Sequence, residues 1–342
     1  MFDFLKTKDS SCPEPALGAE KCELCMMVMF GALVLLALPS IMWTLIYVSN
    51  NVFMMIMGPV DVKKKYNAKW ALVTGAGTGI GRSLSFALAE QGLNVVLVSL
   101  PDKFLNETKA DLQKLYPKQE FRAIKAVFDH KTDYMPEIIK QTEDIDVQCI
   151  FNNAGYIVTQ FFDRTTLDAQ LANVECNATA CVKVTHHFLQ QLIRKDLKGC
   201  IVFTSSVSGF IPNPFAVMYG ATKSFVSQFA ASLAVEVQAK GIDVCAVHPS
   251  PVRSNFFDKA VQLDSLDMAK NSAVSPDSVP SKMLSCIGRT HLGDLGSMAW
   301  GVRMGTAVVP YDFITRLFSF FSDSLPDYKK YDEERGFPAK RK

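Results

Sequence analysis

Three side chains suited to carbonyl reduction lie within one stretch of this 342-residue sequence. They are Ser206, Tyr219 and Lys223, at spacings of thirteen and four residues. A tyrosine and a lysine four residues apart share one face of a helix, and a nearby ammonium favours the phenolate of the tyrosine. The pair could therefore exchange a proton near neutral pH, while the serine hydroxyl binds the substrate oxygen. The same spacing also occurs by chance on exposed helices, so the surrounding elements must decide.

Beyond Lys69, short apolar runs alternate with longer amphipathic stretches, which predicts strands alternating with helices. The predicted strands are Trp70–Thr74, Val95–Ser99, Ala123–Phe128, Val147–Phe151, Cys200–Thr204 and Asp243–Val247. The predicted helices include Arg82–Gln91, Pro136–Glu143, Thr166–Arg194 and Ala221–Ala239. Continuously apolar strands joined by helices indicate a parallel sheet covered on both faces. Right-handed crossovers then give an α/β, doubly wound fold.

The first predicted strand runs into the glycine-rich turn TGAGTGIG at 74–81, and a helix follows. The glycines permit a tight turn, close approach of a pyrophosphate to the backbone, and close packing of helix on strand. The phosphates then meet the free N–H groups of a helix N-terminus. The residues predicted to bind the cofactor here are Gly75, Thr78, Gly79, Ile80 and Gly81. The position between a strand and a helix indicates a dinucleotide site.

The end of the second strand bears on the choice between NAD and NADP. An acidic residue there would bind the ribose hydroxyls, and an arginine would accept a 2′-phosphate. Ser99 and Leu100 are neither, and Asp102 follows a proline that turns the chain away. Arg82, just after the glycines, could neutralise phosphate or be a solvated helix-face charge. The sequence favours NADP(H) and leaves NAD(H) open.

Composition narrows the class of protein further. A net charge of +2 gives no argument for a nucleic-acid partner. Nine scattered cysteines are typical of a reduced compartment rather than of a disulfide framework. No metal site is predicted, because the Cys22 and Cys25 pair has no second pair or histidine beside it. His186, His187 and His248 are predicted to be surface or hydrogen-bonded core histidines.

The segment Met26–Val48 contains no charged residue, and apolar character resumes at 52–57. A run this long can cross a bilayer as a helix, so residues 26–57 are predicted to form a membrane anchor after a flexible tail at 1–25. A buried helix of a soluble protein is the alternative, although it would need cover on every face. Pro39 permits either a kinked single span or a re-entrant hairpin. The lysines at 63–65 predict that the following domain faces the cytosol.

The order of the glycine turn, of Asn152–Gly155 after the fourth strand, and of Ser206, Tyr219 and Lys223 resembles that of the short-chain dehydrogenase/reductase family. The resemblance covers 69–255 and implies a Rossmann domain. It implies that Tyr219 transfers a proton, that Ser206 holds the substrate oxygen, and that Lys223 binds the nicotinamide ribose and lowers the pKa of the phenol. Asn177 matches the family's structural and proton-relay asparagine.

The resemblance also implies cofactor contacts beyond the glycine turn. Asp129, closing the third strand, would contact the adenine. The segment Pro249–Ser254 resembles the family's P-G-x-V-x-T loop, with Ser250 in place of the glycine and Ser254 in place of the threonine. Further implied contacts are Asn153, Ala154, Gly155, Tyr219, Lys223, Pro249, Val252 and Ser254.

The chain beyond the shared region is apolar and aromatic. Ser275 and Pro276 predict a short helix that ends near Ile287. Residues 293–321 predict an amphipathic lid or interfacial helix beside an apolar substrate mouth, with a packing extension of the core as the alternative. The segment 256–325 is therefore interpreted as a substrate lid or membrane-proximal extension, and 326–342 as a charged tail.

An anchor and an apolar extension resemble the membrane-bound 17β-hydroxysteroid dehydrogenase and very-long-chain 3-oxoacyl-CoA reductase group. This implies an NADP(H)-dependent oxidoreductase that interconverts a ketone and a secondary alcohol on a lipophilic substrate, at the endoplasmic reticulum or a lipid droplet. The family resemblance also implies a homodimer or tetramer. Reduction of 3-ketosphinganine or retinal is a related alternative. A catalytically silent membrane or lipid-droplet scaffold is an alternative of another class, against which the intact Ser206, Tyr219 and Lys223 set counts.

Overall fold

Seven strands and the helices between them make up most of the chain, in a computed structural model that describes residues 16–257, 261, 263, 264, 267 and 273–335. The strands are β1 (Trp70–Thr74), β2 (Asn94–Ser99), β3 (Phe121–Lys125), β4 (Val147–Asn152), β5 (Gly199–Thr204), β6 (Ile242–Pro249) and β7 (Leu292–Leu295). The α-helices up to β5 are α1 (Ala16–Met57), α2 (Val62–Tyr66), α3 (Gly79–Glu90), α4 (Lys103–Leu115), α5 (Met135–Lys140), α6 (Leu167–Val174) and α7 (Ala180–Arg194). Later α-helices are α8 (Val217–Val237), α9 (Ser278–Cys286), α10 (Ser297–Val308), α11 (Tyr311–Phe321) and α12 (Pro326–Arg335).

All strand pairs are parallel, in the order β3-β2-β1-β4-β5-β6-β7. The chain moves outward from β1 to β3 and then returns to place β4 on the other side of β1. The carboxyl ends of β1 and β4 therefore flank a switch point, where doubly wound sheets bind ligands. This confirms the predicted fold class.

The sheet is buried on both faces, as its continuously apolar strands predict. Every residue of β1, β4 and β5 is buried. Val73 and Phe151 pack on one face together with α3 and α9. Leu72 and Ile150 pack on the other face together with α7 and α8. The functional ends of the strands thus project from a rigid layer.

The chain divides into a unit that ends at Asn50 and a unit that begins at Asn51. Within the first unit, apolar side chains of α1 such as Phe30 and Leu35 are exposed. In the described residues, Met26–Met57 is the one stretch long and apolar enough to cross a membrane as a helix. Pro39 lies inside an uninterrupted α1, which agrees with a single span rather than a hairpin.

Within the second unit, the first residues of that unit bind α9 and its following turn. Lys282 Nζ donates to Asn51 Oδ1 at 2.9 Å, and Arg289 Nη1 donates to the Gly58 carbonyl at 2.6 Å. The Val60 N–H donates to the carbonyl of Leu284 at 3.2 Å. Residues 51–60 are therefore an integral part of the second unit.

Several predicted elements differ from the observed ones. The third strand is Phe121–Lys125 instead of 123–128, and α4 and β7 were not predicted. Helix α1 begins at Ala16, inside the predicted flexible tail, whose residues 1–15 lie outside the described residues. Residues 326–335 of the predicted charged tail form α12, whose Tyr331 is buried against Phe215. Residues 336–342 lie outside the described part.

Candidate active site

Helix α8 holds the predicted tyrosine and lysine on one buried face. Tyr219 is 9% exposed and Lys223 is 3% exposed. The Lys223 ammonium lies 5.6 Å from the centroid of the Tyr219 ring and donates to the Thr204 carbonyl at 2.8 Å. The chance interpretation, an exposed helix face, is therefore wrong. A buried tyrosine and ammonium in contact form a centre that can transfer a proton.

The serine partner of Tyr219 is Ser206, as its spacing predicts. Ser206 caps the short helical turn Val207–Gly209 and hydrogen-bonds the side chain of Tyr219. The neighbouring Ser205 points elsewhere: its Oγ donates to the Lys223 carbonyl at 2.8 Å and contacts Ser227 Oγ at 2.8 Å. Only Ser206 of these two is thus directed at the phenol.

The loop between Ser206 and α8 is held by Asn213. Its Nδ2 donates to the carbonyls of Ser208 and Ile211, both at 2.6 Å. Gly220 of α8 packs against the same side chain, since a Cβ there would come within 2.9 Å of Asn213 Cγ. These contacts fix the distance between Ser206 and the first turn of α8.

Burial controls the protonation of the site. It raises the pKa of Tyr219 to about 12, although the hydrogen bond with Ser206 acts in the opposite direction. Burial also lowers the pKa of Lys223. The predicted lowering of the phenol pKa is therefore wrong for the chain by itself, because desolvation penalises the phenolate more than its partners favour it. At neutral pH the phenol of Tyr219 is therefore protonated.

Asn177 lies beside this pair, in a π-helical turn. Residues Glu175–Thr179 form the turn, which interrupts the predicted long helix between α6 and α7. Asn177 Oδ1 accepts from the Tyr156 N–H and its Nδ2 donates to the Tyr156 carbonyl, both at 2.9 Å. A Cβ on Gly155 would come within 3.1 Å of Asn177 Oδ1 and 3.3 Å of Lys223 Nζ. The structure thus brings Asn177, Gly155 and Lys223 together.

The glycine turn forms a bare backbone cradle at the carboxyl end of β1. Gly75 and Gly79 have φ of +67° and +53°, in the left-handed region that favours glycine. A methyl at Gly75 would lie 2.9 Å from Ala154 Cα, and one at Gly81 would overlap the Gly75 carbonyl. Thr78 is the N-cap residue just before α3, and its side chain makes no capping hydrogen bond. The first turn of α3 therefore offers its N–H groups and its dipole to an anion. The cradle fits a pyrophosphate.

Two threonines that the sequence reasoning missed connect the cradle to the proton-transfer centre. Thr74 Oγ1 accepts from the N–H groups of Asn153 and Ala154 at 2.9 and 3.0 Å. Thr204 Oγ1 donates to Asn153 Oδ1 at 3.0 Å, and the backbone carbonyl of Thr204 accepts from Lys223 Nζ. A hydroxyl at the last position of an otherwise apolar strand was the available signal.

The region predicted to choose the cofactor carries few free charges. Asp102 Oδ1 caps α4 by accepting from the Leu105 N–H at 3.2 Å. Arg82 is paired with Asp111 at 2.9 Å and stacks on Phe86, which supports its structural alternative. Asp129 lies four residues beyond β3, rather than closing it, and accepts from the Lys131 N–H at 2.9 Å.

The loop after β6 reaches the glycine turn. A Cβ on Gly79 would come within 3.1 Å of Ser254 Cβ. Ser250 has a structural reason to differ from glycine, because its buried Oγ accepts from the Ala299 N–H of α10 at 3.0 Å. Pro249 ends β6, and Val252 pairs with Val274.

An apolar cluster surrounds the phenol of Tyr219. Ile157 and Ala216 are buried in it, and Phe256 and Phe257 pack against them. The Phe256 ring lies 5.6 Å from the Tyr219 ring. The phenol thus has aromatic and aliphatic side chains as neighbours in addition to the ammonium.

A family model described as short chain dehydrogenase matches residues 69–264. The chain belongs to this family. It is 30% identical over 254 residues to very-long-chain 3-oxoacyl-CoA reductase-B of Danio rerio, covering 73% of this chain and 78% of that protein. It is 32% identical over 187 residues to 17-beta-hydroxysteroid dehydrogenase type 3 of Rattus norvegicus, covering 54% of this chain and 60% of the relative.

Solved structures agree with this assignment. A short-chain dehydrogenase from Sphingobium yanoikuyae, in complex with NADPH, is 26% identical with a TM-score of 0.61, and the match covers 66% of this chain and 87% of that one. A 7beta-hydroxysteroid dehydrogenase shares the fold at 21% identity and a TM-score of 0.68, over 76% of this chain and 100% of its own. This short-chain dehydrogenase is thus an oxidoreductase whose apolar α1 and helices α9–α12 lie outside residues 69–264, which the family model matches.

Proposed function

We propose that the protein is an NADPH-dependent reductase of ketones on lipophilic substrates, with Tyr219 as the proton donor. The observation that carries the proposal is the contact of Tyr219 with both Ser206 and the ammonium of Lys223, inside a buried apolar cluster. The family assignment supports the reaction class, and the matched structure with NADPH supports the cofactor. NAD(H) is the other cofactor that the glycine cradle accommodates.

The chain's residues would hold the cofactor along the carboxyl edge of the sheet. Gly75, Thr78, Gly79, Ile80 and Gly81 would bind the pyrophosphate through the start of α3. Asn153–Gly155 would line the cleft, Lys223 would bind the nicotinamide ribose, and Pro249, Val252 and Ser254 would enclose the carboxamide. Asp129 would bind the adenine from its loop. When bound, NADPH supplies the hydride that adds to the carbonyl carbon.

Ser206 and Tyr219 would both bind the substrate oxygen. On reduction, the C=O π electron pair of the substrate would move to this oxygen, where the two hydroxyls would stabilise it. The phenol O–H bond of Tyr219 breaks and its proton forms the alcohol, which leaves a phenolate. The Lys223 ammonium, 5.6 Å from the ring, stabilises that charge. Because burial raises the pKa of the phenol to about 12, the resting site favours ketone reduction.

Asn177 would hold the floor of the site. Its two hydrogen bonds to Tyr156 fix the backbone between Gly155 and Ile157, so the cofactor cleft and the apolar cluster keep their spacing. The π-helical turn directs the Asn177 side chain into the site, and such turns are frequent at functional sites.

The apolar surroundings of Tyr219 support a lipophilic substrate. Phe256 and Phe257 would contact the chain or ring system next to the ketone. Relatives named for very-long-chain 3-oxoacyl-CoA and for 17β-hydroxysteroids make these two the substrate classes to test. In this proposal residues 26–50 anchor the protein, whereas 51–57 of the predicted anchor belong to the second unit, where Met54 is buried. Residues 69–255 form the catalytic domain, and 256–325 form a membrane-proximal extension.

The experiment is turnover by the full-length protein in lipid nanodiscs. NADPH oxidation is followed with steroid ketones and with 3-oxoacyl-CoAs of increasing chain length, and alcohol product is counted by mass spectrometry. We expect one alcohol for each NADPH and higher kcat/KM for longer chains. NADPH binding without turnover on any ketone, including 3-ketosphinganine and retinal, would favour a scaffold instead.

We also propose that the catalytic domain faces the cytosol at the endoplasmic reticulum or lipid droplets. Lys64, after the apolar run, is 85% exposed, in keeping with the positive-inside rule. Asn106 begins an Asn-Glu-Thr sequon and is exposed on α4. A glycosidase-sensitive mass at Asn106 in cells would contradict this orientation.

A further inference from the structure

A buried chain of polar side chains lies behind the catalytic face of α8. His248, at the end of β6, is 0% exposed. Its Nε2 lies 2.9 Å from Ser227 Oγ of α8, and its Nδ1 lies 3.1 Å from Asp294 Oδ1 of β7. Because the imidazole has no access to solvent, these partners decide which nitrogen carries the proton.

The far end of this chain is an ion pair with α10. Arg303 Nε and Nη2 lie 3.0 and 3.3 Å from the two oxygens of Asp294. The guanidinium stacks on Phe210 at 3.7 Å, and the same ring packs on His248 at 4.5 Å. The imidazole is thus enclosed by a carboxylate held ionised by Arg303, by an aromatic ring and by the hydroxyl of Ser227.

The near end of the chain reaches the active site. Ser227 Oγ lies 2.9 Å from the Lys223 carbonyl and 2.8 Å from Ser205 Oγ. Ser205 Oγ also lies 2.8 Å from the Lys223 carbonyl. Ser205 directly precedes Ser206, so Ser206 and Lys223, the two polar partners of Tyr219 described above, both adjoin this pair of hydroxyls.

A count of protons gives one consistent arrangement at His248. Burial lowers the pKa of His248, so the imidazole is neutral and carries one proton. The ionised Asp294 can only accept, so Nδ1 of His248 donates to it and Nε2 accepts. The proton that Nε2 accepts comes from Ser227, the neighbouring hydroxyl. Ser205 then donates either to the Lys223 carbonyl or to Ser227 Oγ, both at 2.8 Å. The charge on Asp294 and the neutral imidazole together set the direction of the hydrogen bonds of His248.

We propose that His248 is a positioning residue for the reduction: protonated on Nδ1, it orients Ser227 and Ser205 and thereby fixes Lys223 and Ser206 around Tyr219. The inference rests on the proposed function. It gives the extension beyond the family core a role in the reaction, because Asp294 and Arg303 both belong to that extension. His248 itself touches neither substrate nor cofactor.

Two substitutions separate the two sides of the imidazole. In His248→Gln the amide oxygen can replace Nε2 as the acceptor for Ser227, whereas in His248→Asn the amide nitrogen can replace Nδ1 as the donor to Asp294. We expect kcat to fall about tenfold in His248→Asn and less than about threefold in His248→Gln, with KM for NADPH unchanged in both. His186→Gln, on the exposed face of α7, is the matched control and should keep the parent kcat.

A larger loss of kcat in His248→Gln than in His248→Asn would show that His248 only binds Asp294, and it would overturn the proposal. Equal kcat values in both variants and the parent would overturn it as well. Ser227→Ala should reproduce the loss of His248→Asn, and Ser227→Thr, which keeps the hydroxyl, should restore most of kcat. A Ser227→Ala protein with parental kcat would contradict the inference.

A second readout does not need turnover. The ¹⁵N spectrum of histidine-labelled protein should show Nε2 of His248 as a non-protonated nitrogen and Nδ1 as protonated, and the His248→Gln spectrum assigns both signals. A protonated Nε2 would overturn the inference. If this tautomer is found in a protein that reduces no ketone, the proposed function fails while the hydrogen-bond arrangement stands.

Discussion

Helices α8 and α11 of this short-chain dehydrogenase invert the usual relation between polarity and burial. Helix α8 buries Tyr219, Lys223 and Ser227, each with a hydrogen-bond partner inside the domain. Helix α11 buries no residue and exposes Phe313 and Phe320, at 58% and 80%.

The difference shows which helix finds the partners of its side chains within the protein and which helix leaves its side chains exposed. A buried polar group without a partner destabilises the fold, so the partners of α8 must be supplied by the domain and the site geometry is fixed. The aromatic side chains of α11 are not covered by other described residues, and an exposed aromatic surface is typical of a contact with another molecule or a membrane. Changes in α8 should therefore alter chemistry, and changes in α11 should alter location.

The sharpest test of the α8 half of this comparison is Tyr219→Phe. The variant keeps the ring among Ile157, Phe256 and Phe257 but cannot donate a proton, so kcat should fall about 10³-fold. NADPH oxidation with the best ketone of the panel measures it. Tyr116→Phe, remote from the site at the end of α4, is the control with parental kcat. A Tyr219→Phe protein that keeps a tenth of the activity would assign the proton to another group.

Asp294 tests whether the buried network also stabilises the fold. Burial acts to raise the pKa of Asp294, but the hydrogen bonds from His248 and Arg303 and the charge of Arg303 outweigh it and hold the pKa at about 2, below the usual 3.8. A lowered pKa gives stability that is present above 3.8 and lost as the pH falls toward 2. The unfolding free energy of the parent should thus fall about 2 kcal/mol further than that of Asp294→Asn across this interval.

Urea unfolding at pH 5, 4, 3 and 2 measures the difference between the two proteins. Asp312→Asn serves as the control, since that carboxylate is 77% exposed and pairs with Arg316 of its own helix. Parallel curves for the parent and Asp294→Asn would mean that the ion pair adds no stability in acid.

The glycine cradle permits a smaller and more local change. In Gly79→Ala a side chain must adopt φ of +53° and press against Ser254, which should destabilise the turn by about 1–2 kcal/mol and weaken NADPH binding about tenfold. Fluorescence titration of NADPH gives the Kd. A Cβ on Gly301, in α10, would have no described atom within 4 Å outside its own helix backbone, so Gly301→Ala should leave the Kd unchanged. Equal Kd values for both variants would place the pyrophosphate elsewhere.

The catalytic half of the comparison was largely predictable from the sequence. Strand β1 matched its apolar run, and the spacing of Tyr219 and Lys223 placed them on one helix face because helical periodicity is local. The resemblance then supplied Asn177 and Ser206, which the structure brings to the same centre.

The misses share a dependence on distant partners. The π-helical turn at Asn177 looks like ordinary helix in the sequence, and the partner of Ser250 comes from Ala299 of α10, more than forty residues away. Strand β3 was shifted because it is half-exposed and its apolar residues continue into the following loop. The lowered phenol pKa was wrong because spacing reports a neighbouring charge and not burial.

The smallest effect on activity, and the test of the other half of the comparison, is expected from α11. Its aromatic face and the exposed ion pair of Arg316 with Asp312 give it an apolar and a polar side. If the apolar side rests in a membrane interface, Phe320→Trp should be quenched by brominated lipids in vesicles, because tryptophan settles at that depth. Arg316→Trp, on the polar side, should not be quenched, and the unsubstituted protein gives the background of Trp43, Trp70 and Trp300.

Both variants should keep kcat, because no side chain of α11 is buried in the catalytic unit. Equal quenching of the two would remove the interfacial role of α11, and a loss of kcat in Phe320→Trp alone would make it a substrate lid.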